Sequence, residues 1–138
     1  LTLYHIKKHN ELLTKCHKII KDDGLFFAED IIAEKKLNNE DLLYLSKELF
    51  ANYLPTYNQY LLDLEKSGFK ILYHKNMGNN WSKFVNKRKK NYDKDRKRHI
   101  RVHGKKIFEN VSHFYKVVDK FFKSKKIGGI KIIAKKLN

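Results

Sequence analysis

Five side chains in this sequence have the chemistry of an acid–base or ligand-binding site: His5, Asp30, Tyr57, Trp81 and Arg88. His5 follows a short apolar segment and could accept a proton near neutral pH. Asp30 ends a run of apolar residues and could hold a substrate or orient a base. Each has a structural alternative, because a turn histidine can bond to the backbone and an aspartate can cap a helix or turn.

The aromatic candidates leave a similar choice open. Tyr53, Tyr57 and Tyr60 stand close together before a predicted strand and could wall a pocket, although helical spacing of aromatic residues is also typical of a core. Trp81 and Arg88 could close that pocket, since a guanidinium binds a phosphate or carboxylate through two hydrogen bonds. Core packing of Trp81 and a surface position for Arg88 are the alternative.

The elements that position these residues read as a strand end, a helix, a strand, two helices, a strand, two helices and a strand. Residues 1–4 read as the end of a buried strand, and the apolar stripe from Leu12 to Ile20 predicts an amphipathic helix. The apolar run 25–32 predicts a strand buried on both faces. Because an unpaired buried carboxylate is costly, we expect Glu29 and Asp30 at its C-terminal edge, near solvent or a ligand.

The middle of the chain carries helix-start signals. Asn38 or Asn39 can cap a second helix, and Pro55 suits the first turn of a third. Phe69 to Tyr73 alternate as a strand should.

Asn80 can cap a basic helix that begins at Trp81, and we expect this helix to fray or bend before Gly104. A last helix carries an apolar stripe from Ile107 to Phe122. The pair Gly128–Gly129 is then predicted to turn the chain into the final strand.

Length and composition indicate one domain over residues 1–138 with a single core. No apolar run approaches the roughly 20 residues of a membrane span. A single cysteine, Cys16, excludes an internal disulfide and suits a reducing compartment, so we expect a cytoplasmic protein. Two pairs of histidines stand four residues apart, but neither has a glutamate or cysteine partner, and we predict no metal site.

Positive charge is concentrated in one segment. The chain has a net charge of +16, and residues 83–106 carry twelve Lys and Arg against two Asp. Such a block predicts an anionic partner, which could be nucleic acid, a phosphorylated ligand or a membrane surface. A solvated helix face without a partner is the alternative.

Four segments, taken in order, resemble the C-terminal half of a class I S-adenosylmethionine-dependent methyltransferase. Residues 1–4 resemble the tail of strand four, and Asp23–Asp30 resembles the glycine turn and strand five, with Asp22 and Asp23 in place of the usual proline and first glycine. Leu64–Leu72 is similar to the entrance to strand six, and 128–135 to strand seven. The resemblance implies an α/β, Rossmann-like fold in which strand seven runs antiparallel between strands five and six.

A closer likeness is to small-molecule N-methyltransferases of the phosphoethanolamine or sarcosine/dimethylglycine type. It is carried by Asn79–Trp81, the region around Arg88 and the helix containing Phe114 and Tyr115, within a helical insertion over 75–126. The resemblance implies methyl transfer to a small amine. His5 is the candidate base because it follows strand four, at the edge where α/β folds bind ligands, although the family's histidine falls nearer Leu3. The candidates for binding the substrate are Asp30, Tyr57, Trp81 and Arg88. Aromatic faces can hold a methylated cation.

The resemblance also implies S-adenosylmethionine as cofactor, with Leu3, Tyr4 and His5 in contact with it. In the family, a glycine-rich loop in the N-terminal half approaches the cofactor, and only glycine permits that approach. None of the six glycines here forms this pattern. We therefore expect the N-terminal half to be missing, this chain alone to be inactive, and the chain to be a fragment, one half of a split enzyme or a degenerate relative.

Three functions compete at this point. The first is an N-methyltransferase present as its substrate-side half. The second is a binding module that uses residues 83–106 on RNA, DNA or another anionic partner. The third is a structural subunit that pairs with an N-terminal half or a second copy, which an unpaired strand at residues 1–4 would favour.

Overall fold

A computed structural model describes residues 2–137. A short 3₁₀ turn, Leu3–His5, precedes helix α1 (His9–Ile19), strand β1 (Leu25–Ala33), helices α2 (Asn39–Leu49) and α3 (Tyr57–Lys66), and strand β2 (Phe69–Asn76). Helices α4 (Gly78–Lys94), α5 (Arg96–His103) and α6 (Lys105–Lys123) then lead to strand β3 (Ile127–Lys136).

The three strands form one sheet in the order β1-β3-β2, with β3 antiparallel to both neighbours. Phe27 on β1 and Tyr73 on β2 both pair with Ile133 of β3, and a register shift separates Ile71 from Tyr73. The last strand therefore lies between the other two, which confirms the predicted order of the final three strands.

Two interpretations of the strand ends were wrong. Leu3–His5 form a 3₁₀ turn, so the predicted strand at residues 1–4 is absent from the described residues; Leu1 lies outside them. Gly128 and Gly129 lie inside β3, opposite Ile32 and Ile31. The turn before β3 lies at Ser124–Lys126, where Lys125 has a φ of 51°.

Each face of the sheet has its own core, because side chains alternate along a strand. On one face, α1 and α3 bury Leu13, Tyr60 and Leu64 against Phe26 and Ile132.

On the other face, α2 and α6 bury Leu45, Leu49, Val118 and Phe122 around Ile31, and Trp81 and Val85 of α4 pack onto this cluster. The N-terminal part of β1 is not buried on both faces as predicted, since Leu25 and Phe27 are 60% and 58% exposed.

The helix ends follow local capping chemistry. The Asn38 side chain accepts from the backbone N–H of Asp41 at 2.8 Å, which confirms one of the two predicted caps. Thr56 caps α3, so Pro55 precedes the helix instead of lying in its first turn. Helix α4 begins at Gly78, earlier than predicted, and Asn80 lies inside it.

The basic helix breaks at Asp95, between α4 and α5, and the chain reverses at Gly104, where φ is +85°. A break before Gly104 is thus confirmed. Among the described residues, no helix combines the length and apolar character needed to cross a bilayer.

Candidate functional site

A cavity of about 520 Å³ opens between the sheet and helices α4 and α6. Its walls are mainly aromatic and aliphatic, and they come from the 3₁₀ turn, β1, α2, α4 and α6. The lining residues are Tyr4, Glu29, Ile31, Leu49, Asn80, Trp81, Phe84, Val85, Phe114, Tyr115, Val118 and Phe122. An apolar cavity with few polar groups is typical of a small-molecule site.

The position of Trp81 depends on a glycine in the sheet. Met77 donates its backbone N–H to the carbonyl of Gly129 at 2.7 Å, which fixes the start of α4 against β3. The indole of Trp81 then lies over Gly129, in space that a Cβ would fill. From there Trp81 reaches both the α2–α6 core and the cavity wall.

Glu29 brings a carboxylate to this aromatic wall. It is half-buried on β1, and Lys131 of β3 lies opposite it, with 3.4 Å between the lysine Nζ and Oε1 of Glu29. The Lys131 ammonium also lies 5.4 Å from the ring centre of Phe27. The cavity thus combines several π faces with a partly neutralised carboxylate, a combination that suits an organic cation.

Arg88 and Tyr115 meet at the edge of the cavity. The Arg88 guanidinium donates to the Tyr115 hydroxyl at 3.3 Å and lies 5.9 Å from the ring centre of Phe84. Arg88 is exposed, so its remaining N–H groups face solvent. This position would let it bind an acidic group on a molecule whose other end enters the cavity.

The 3₁₀ turn brings Tyr4 into the cavity and leaves His5 beside it. The centres of the Tyr4 and His5 rings are 3.9 Å apart. Nδ1 of His5 lies 2.9 Å from the carbonyl oxygen of Phe50, and the Asn52 side chain donates to the carbonyl of His5 at 2.8 Å. Because a carbonyl only accepts, Nδ1 carries the proton and Nε2 of neutral His5 keeps its lone pair.

Asp30 is not at the strand edge where we expected it. It is 1% exposed, in the middle of β1, on the face opposite Glu29. The hydroxyl of Tyr60 donates to its Oδ2 at 3.5 Å, and Oδ1 has no partner among residues 2–137. Burial raises the pKa of this carboxyl to about 6.

Tyr57 and Leu3 also lie away from the cavity. The Tyr57 hydroxyl is 2.6 Å from Nδ1 of His74, and both Tyr57 and Leu3 pack against the core beneath α1 and α3. Of the predicted site residues, the structure therefore brings Tyr4 and Trp81 together in one cavity, with Arg88 at its edge and His5 adjacent.

The sequence did not single out Leu49, Phe84 or Phe114 for the site. Glu29 was expected near solvent or a ligand at the C-terminal edge of β1, and it lines the cavity from the middle of the strand. Part of the signal was present, because Trp81, Phe84, Val85 and Arg88 recur at three- and four-residue spacing along one side of a helix. The same spacing also describes a helix that packs into a core, which is why the sequence alone does not single them out.

A second polar cluster is buried between α1 and α3. The Tyr53 hydroxyl donates to Oδ2 of Asp63 at 2.5 Å, and Gln59 donates to Oδ1 at 2.7 Å. The His9 ring stacks on Tyr53, with 4.7 Å between ring centres, and neither of its nitrogens has a hydrogen-bond partner among residues 2–137. Burial lowers the pKa of His9, against the opposing effect of Asp63.

Within residues 2–137, no three His, Cys, Asp or Glu side chains are grouped closely enough to hold a metal ion. Cys16 is partly buried, and burial raises the pKa of its thiol.

The match to known families extends over nearly the whole chain. A family model described as mycolic acid cyclopropane synthetase matches residues 3–132. No curated protein matches the chain in sequence.

Solved structures share the fold at low sequence identity. The cyclopropane synthase MmaA2 from Mycobacterium tuberculosis is 15% identical with a TM-score of 0.76, over 94% of this chain and 50% of that protein. Phosphoethanolamine N-methyltransferase 2 from Haemonchus contortus is 16% identical with a TM-score of 0.85, over 99% of this chain and 32% of the other.

A putative sarcosine dimethylglycine methyltransferase from Galdieria sulphuraria is 11% identical with a TM-score of 0.85, over 99% of this chain and 50% of that protein. The chain thus spans between about a third and a half of these proteins. The resemblance to class I methyltransferases is confirmed.

Proposed function

Because the chain belongs to the mycolic acid cyclopropane synthetase family, we propose that it forms the acceptor side of an S-adenosylmethionine-dependent methyltransferase acting on a small amine. The aromatic cavity with Glu29 in its wall supports this proposal most directly. A protonated or methylated amine is attracted both by a carboxylate and by π faces, whereas a neutral alkyl chain would gain nothing from Glu29. The structures of phosphoethanolamine and sarcosine dimethylglycine methyltransferases that share the fold are consistent with an amine.

The residues of the chain divide the task of binding the acceptor. Tyr4, Trp81, Phe84 and Tyr115 present their rings to the cavity, and Val118 and Phe122 close its base with aliphatic and aromatic surface. Closing the site in this way would exclude water and orient the nitrogen. Arg88, at the edge, would bind a phosphate or carboxylate carried by the same acceptor.

Methyl transfer also needs a proton acceptor and a methyl donor. S-adenosylmethionine, when bound, would supply the methyl group: the amine lone pair would form the new N–C bond, and the electron pair of the broken C–S bond would stay on sulfur. His5 is our proposed base for the proton that the nitrogen must lose, since its Nδ1 is held by Phe50 and its Nε2 keeps a lone pair. Glu29, in the cavity wall, would hold the amine in place for this proton transfer.

We propose that the described residues supply only a small part of the cofactor site. Of Leu3, Tyr4 and His5, only Tyr4 lines the cavity. Among residues 2–137, the glycines do not form the glycine-rich loop that approaches the cofactor in the family: Gly128 and Gly129 lie in β3, and Gly78 begins α4. We propose that residues outside these 138 supply the rest of the cofactor site, and that this chain alone binds S-adenosylmethionine weakly.

The test uses the natural protein that contains this chain, purified from its source, beside the 138-residue chain alone. Each is incubated with S-adenosylmethionine and either a series of primary to tertiary amines, with and without a phosphate, or fatty acids with a cis double bond. Release of S-adenosylhomocysteine and the mass of the product are measured.

Methylated amines as products, lost in the Glu29→Gln variant, would support the proposal. Methylene addition to the double bond instead, or no turnover with any amine, would overturn it. Tight cofactor binding by the 138-residue chain alone would overturn the proposed division of the cofactor site.

A further inference from the structure

A basic surface on α4 and α5 lies apart from the cavity lining. On α4 it consists of Lys83, Lys87, Lys90 and Lys94, which recur at four, three and four residues and so lie along one side of the helix. All four are exposed. At 1.5 Å of rise per residue, they span about 16 Å of helix.

Helix α5 adds to this surface. It has no buried residue, and Lys97, Arg98 and Arg101 are all exposed. None of these three, and none of the four lysines of α4, forms an ion pair with another residue in the range 2–137. Seven positive charges on these two consecutive helices are therefore exposed and without an ion pair among residues 2–137.

Two acidic side chains, Asp93 and Asp95, lie in this segment. Asp95 is exposed at the break between α4 and α5 and forms no ion pair within residues 2–137. Asp93 faces the opposite way, toward α6, where Ser112 donates to it at 2.9 Å and Lys89 lies 3.8 Å away. The same side of α4 packs on α6 through two further contacts. The Asn86 side chain donates to Asp119, and the ring of Tyr92 stacks on Phe108. The four lysines are thus on an exposed side of α4, while Asn86, Tyr92 and Asp93 are on the side that faces α6.

The form of the surface favours one class of partner. A helix that lies in a bilayer surface inserts a continuous apolar side. The exposed large apolar residues of α4 and α5 are single ones, Phe84 at the cavity and Val102 on α5, and neither lies in the row of four lysines. A nucleic acid needs no insertion, because its phosphates present about one charge per 1.7 Å of duplex axis. The four unpaired lysines follow one another at about 4.5 to 6 Å along the helix axis, a wider spacing than that of the phosphates, so each lysine can contact a phosphate of its own.

We propose that the α4–α5 surface binds the phosphate backbone of nucleic acid without reading sequence. This binding would be separate from methyl transfer, since none of the seven cations lines the cavity. It would also depend steeply on salt, because each phosphate contact releases a counterion.

The test measures fluorescence anisotropy of a fluorescein-labelled 24-base DNA, single-stranded and duplex, with two unrelated sequences, from about 50 to 200 mM salt. The variant replaces Lys83, Lys87, Lys90 and Lys94 with Gln. The control replaces Lys7, Lys35, Lys36 and Lys47 with Gln. These four are also exposed and without ion pairs among residues 2–137, so both variants lose the same charge. Circular dichroism verifies that both remain folded.

We expect the α4 variant to bind both sequences more weakly, with the slope of log K against log salt less steep by about 4, and the control to retain most of the slope. Equal losses in the two variants would overturn the proposal, since net charge alone would then explain binding. Binding to vesicles of phosphatidylglycerol but not to either DNA would also overturn it, in favour of a membrane surface.

Discussion

The indole of Trp81 lies so close to Gly129 that a Cβ on this glycine would be 2.5 Å from Cζ3 of the ring. Side-chain carbons do not approach each other so closely, so one of the two residues would have to move. The φ of Gly129 is not positive, and the conformation of β3 does not itself require glycine at this position. Gly129 is needed for the space that it leaves to Trp81.

Gly129→Ala should displace Trp81 from the cavity wall. We expect a loss of about 1 to 3 kcal/mol in the free energy of unfolding, as for other overpacked sites. Trp81 is the only tryptophan in the chain, so its fluorescence emission reports directly on the change. Gly128→Ala is the control, because a Cβ there meets Glu34 instead. An unchanged emission maximum in Gly129→Ala would show that the sheet moves and the indole does not.

Replacing Trp81 itself should separate aromatic attraction from simple packing. Trp81→Phe keeps a π face in the cavity, whereas Trp81→Leu does not. If the cavity holds a cation as proposed, Trp81→Leu should weaken binding of tetramethylammonium by about 2- to 30-fold, equivalent to about 0.5 to 2 kcal/mol. NMR titration of the natural protein measures the dissociation constants. Equal affinities in the Phe and Leu variants would contradict a cation–π contribution.

Asp30 should make the protein lose stability as pH rises through about 6. Its folded-state pKa is raised to about 6 by burial, above the ordinary value of 3.8. The stability linked to the protonated carboxyl is therefore fully present below about pH 4 and is lost as pH rises through 6. The loss is on the order of 2 to 3 kcal/mol.

Asp30→Asn should remove this loss, which urea unfolding between pH 4 and 8 can measure. Glu65→Gln, at an exposed position, is the control and should keep the wild-type profile. A profile in Asp30→Asn that parallels the wild type would mean that Asp30 is ionised throughout this range.

His9 should have the opposite effect: because of it, the free energy of unfolding should fall as pH falls below about 6.5. Burial lowers its pKa, so below about pH 6.5 the unfolded chain takes up a proton that the folded chain resists. Its contribution to stability is present above that pH and is lost as pH falls through the folded-state pKa.

His9→Phe should keep the stacking on Tyr53 and remove two buried nitrogens that have no partner among residues 2–137. We expect it to lose less stability than the wild type between pH 7.5 and 5, as measured by urea unfolding. His103→Phe, at an exposed position, should behave like the wild type. A loss of more than about 1 kcal/mol at both pH values would indicate that the His9 nitrogens are hydrogen-bonded in solution.

Local patterns in the sequence determined much of the framework. The Asn38 cap, the strands near residues 25–32 and 69–73, and the break in the basic helix depend on neighbours a few residues apart, so they can be read from the chain. The order of the three strands followed from the family resemblance carried by those segments. The pairing of Trp81 with Gly129 could not be read in this way, because the two residues are far apart in sequence.

Packing between elements that are distant in sequence sets which side chains share a site. Glu29 and Asp30 are neighbours in sequence, and alternation along β1 sends them to opposite faces of the sheet. Helices α4 and α6 leave a cavity beside Glu29, while α3 covers Asp30 with Tyr60. From the sequence, the strand over 25–32 could be predicted, and the period of a strand sends adjacent side chains to opposite faces. Which carboxylate meets a cavity depends on the packing of the helices, because the period of a strand does not specify which helix covers each face.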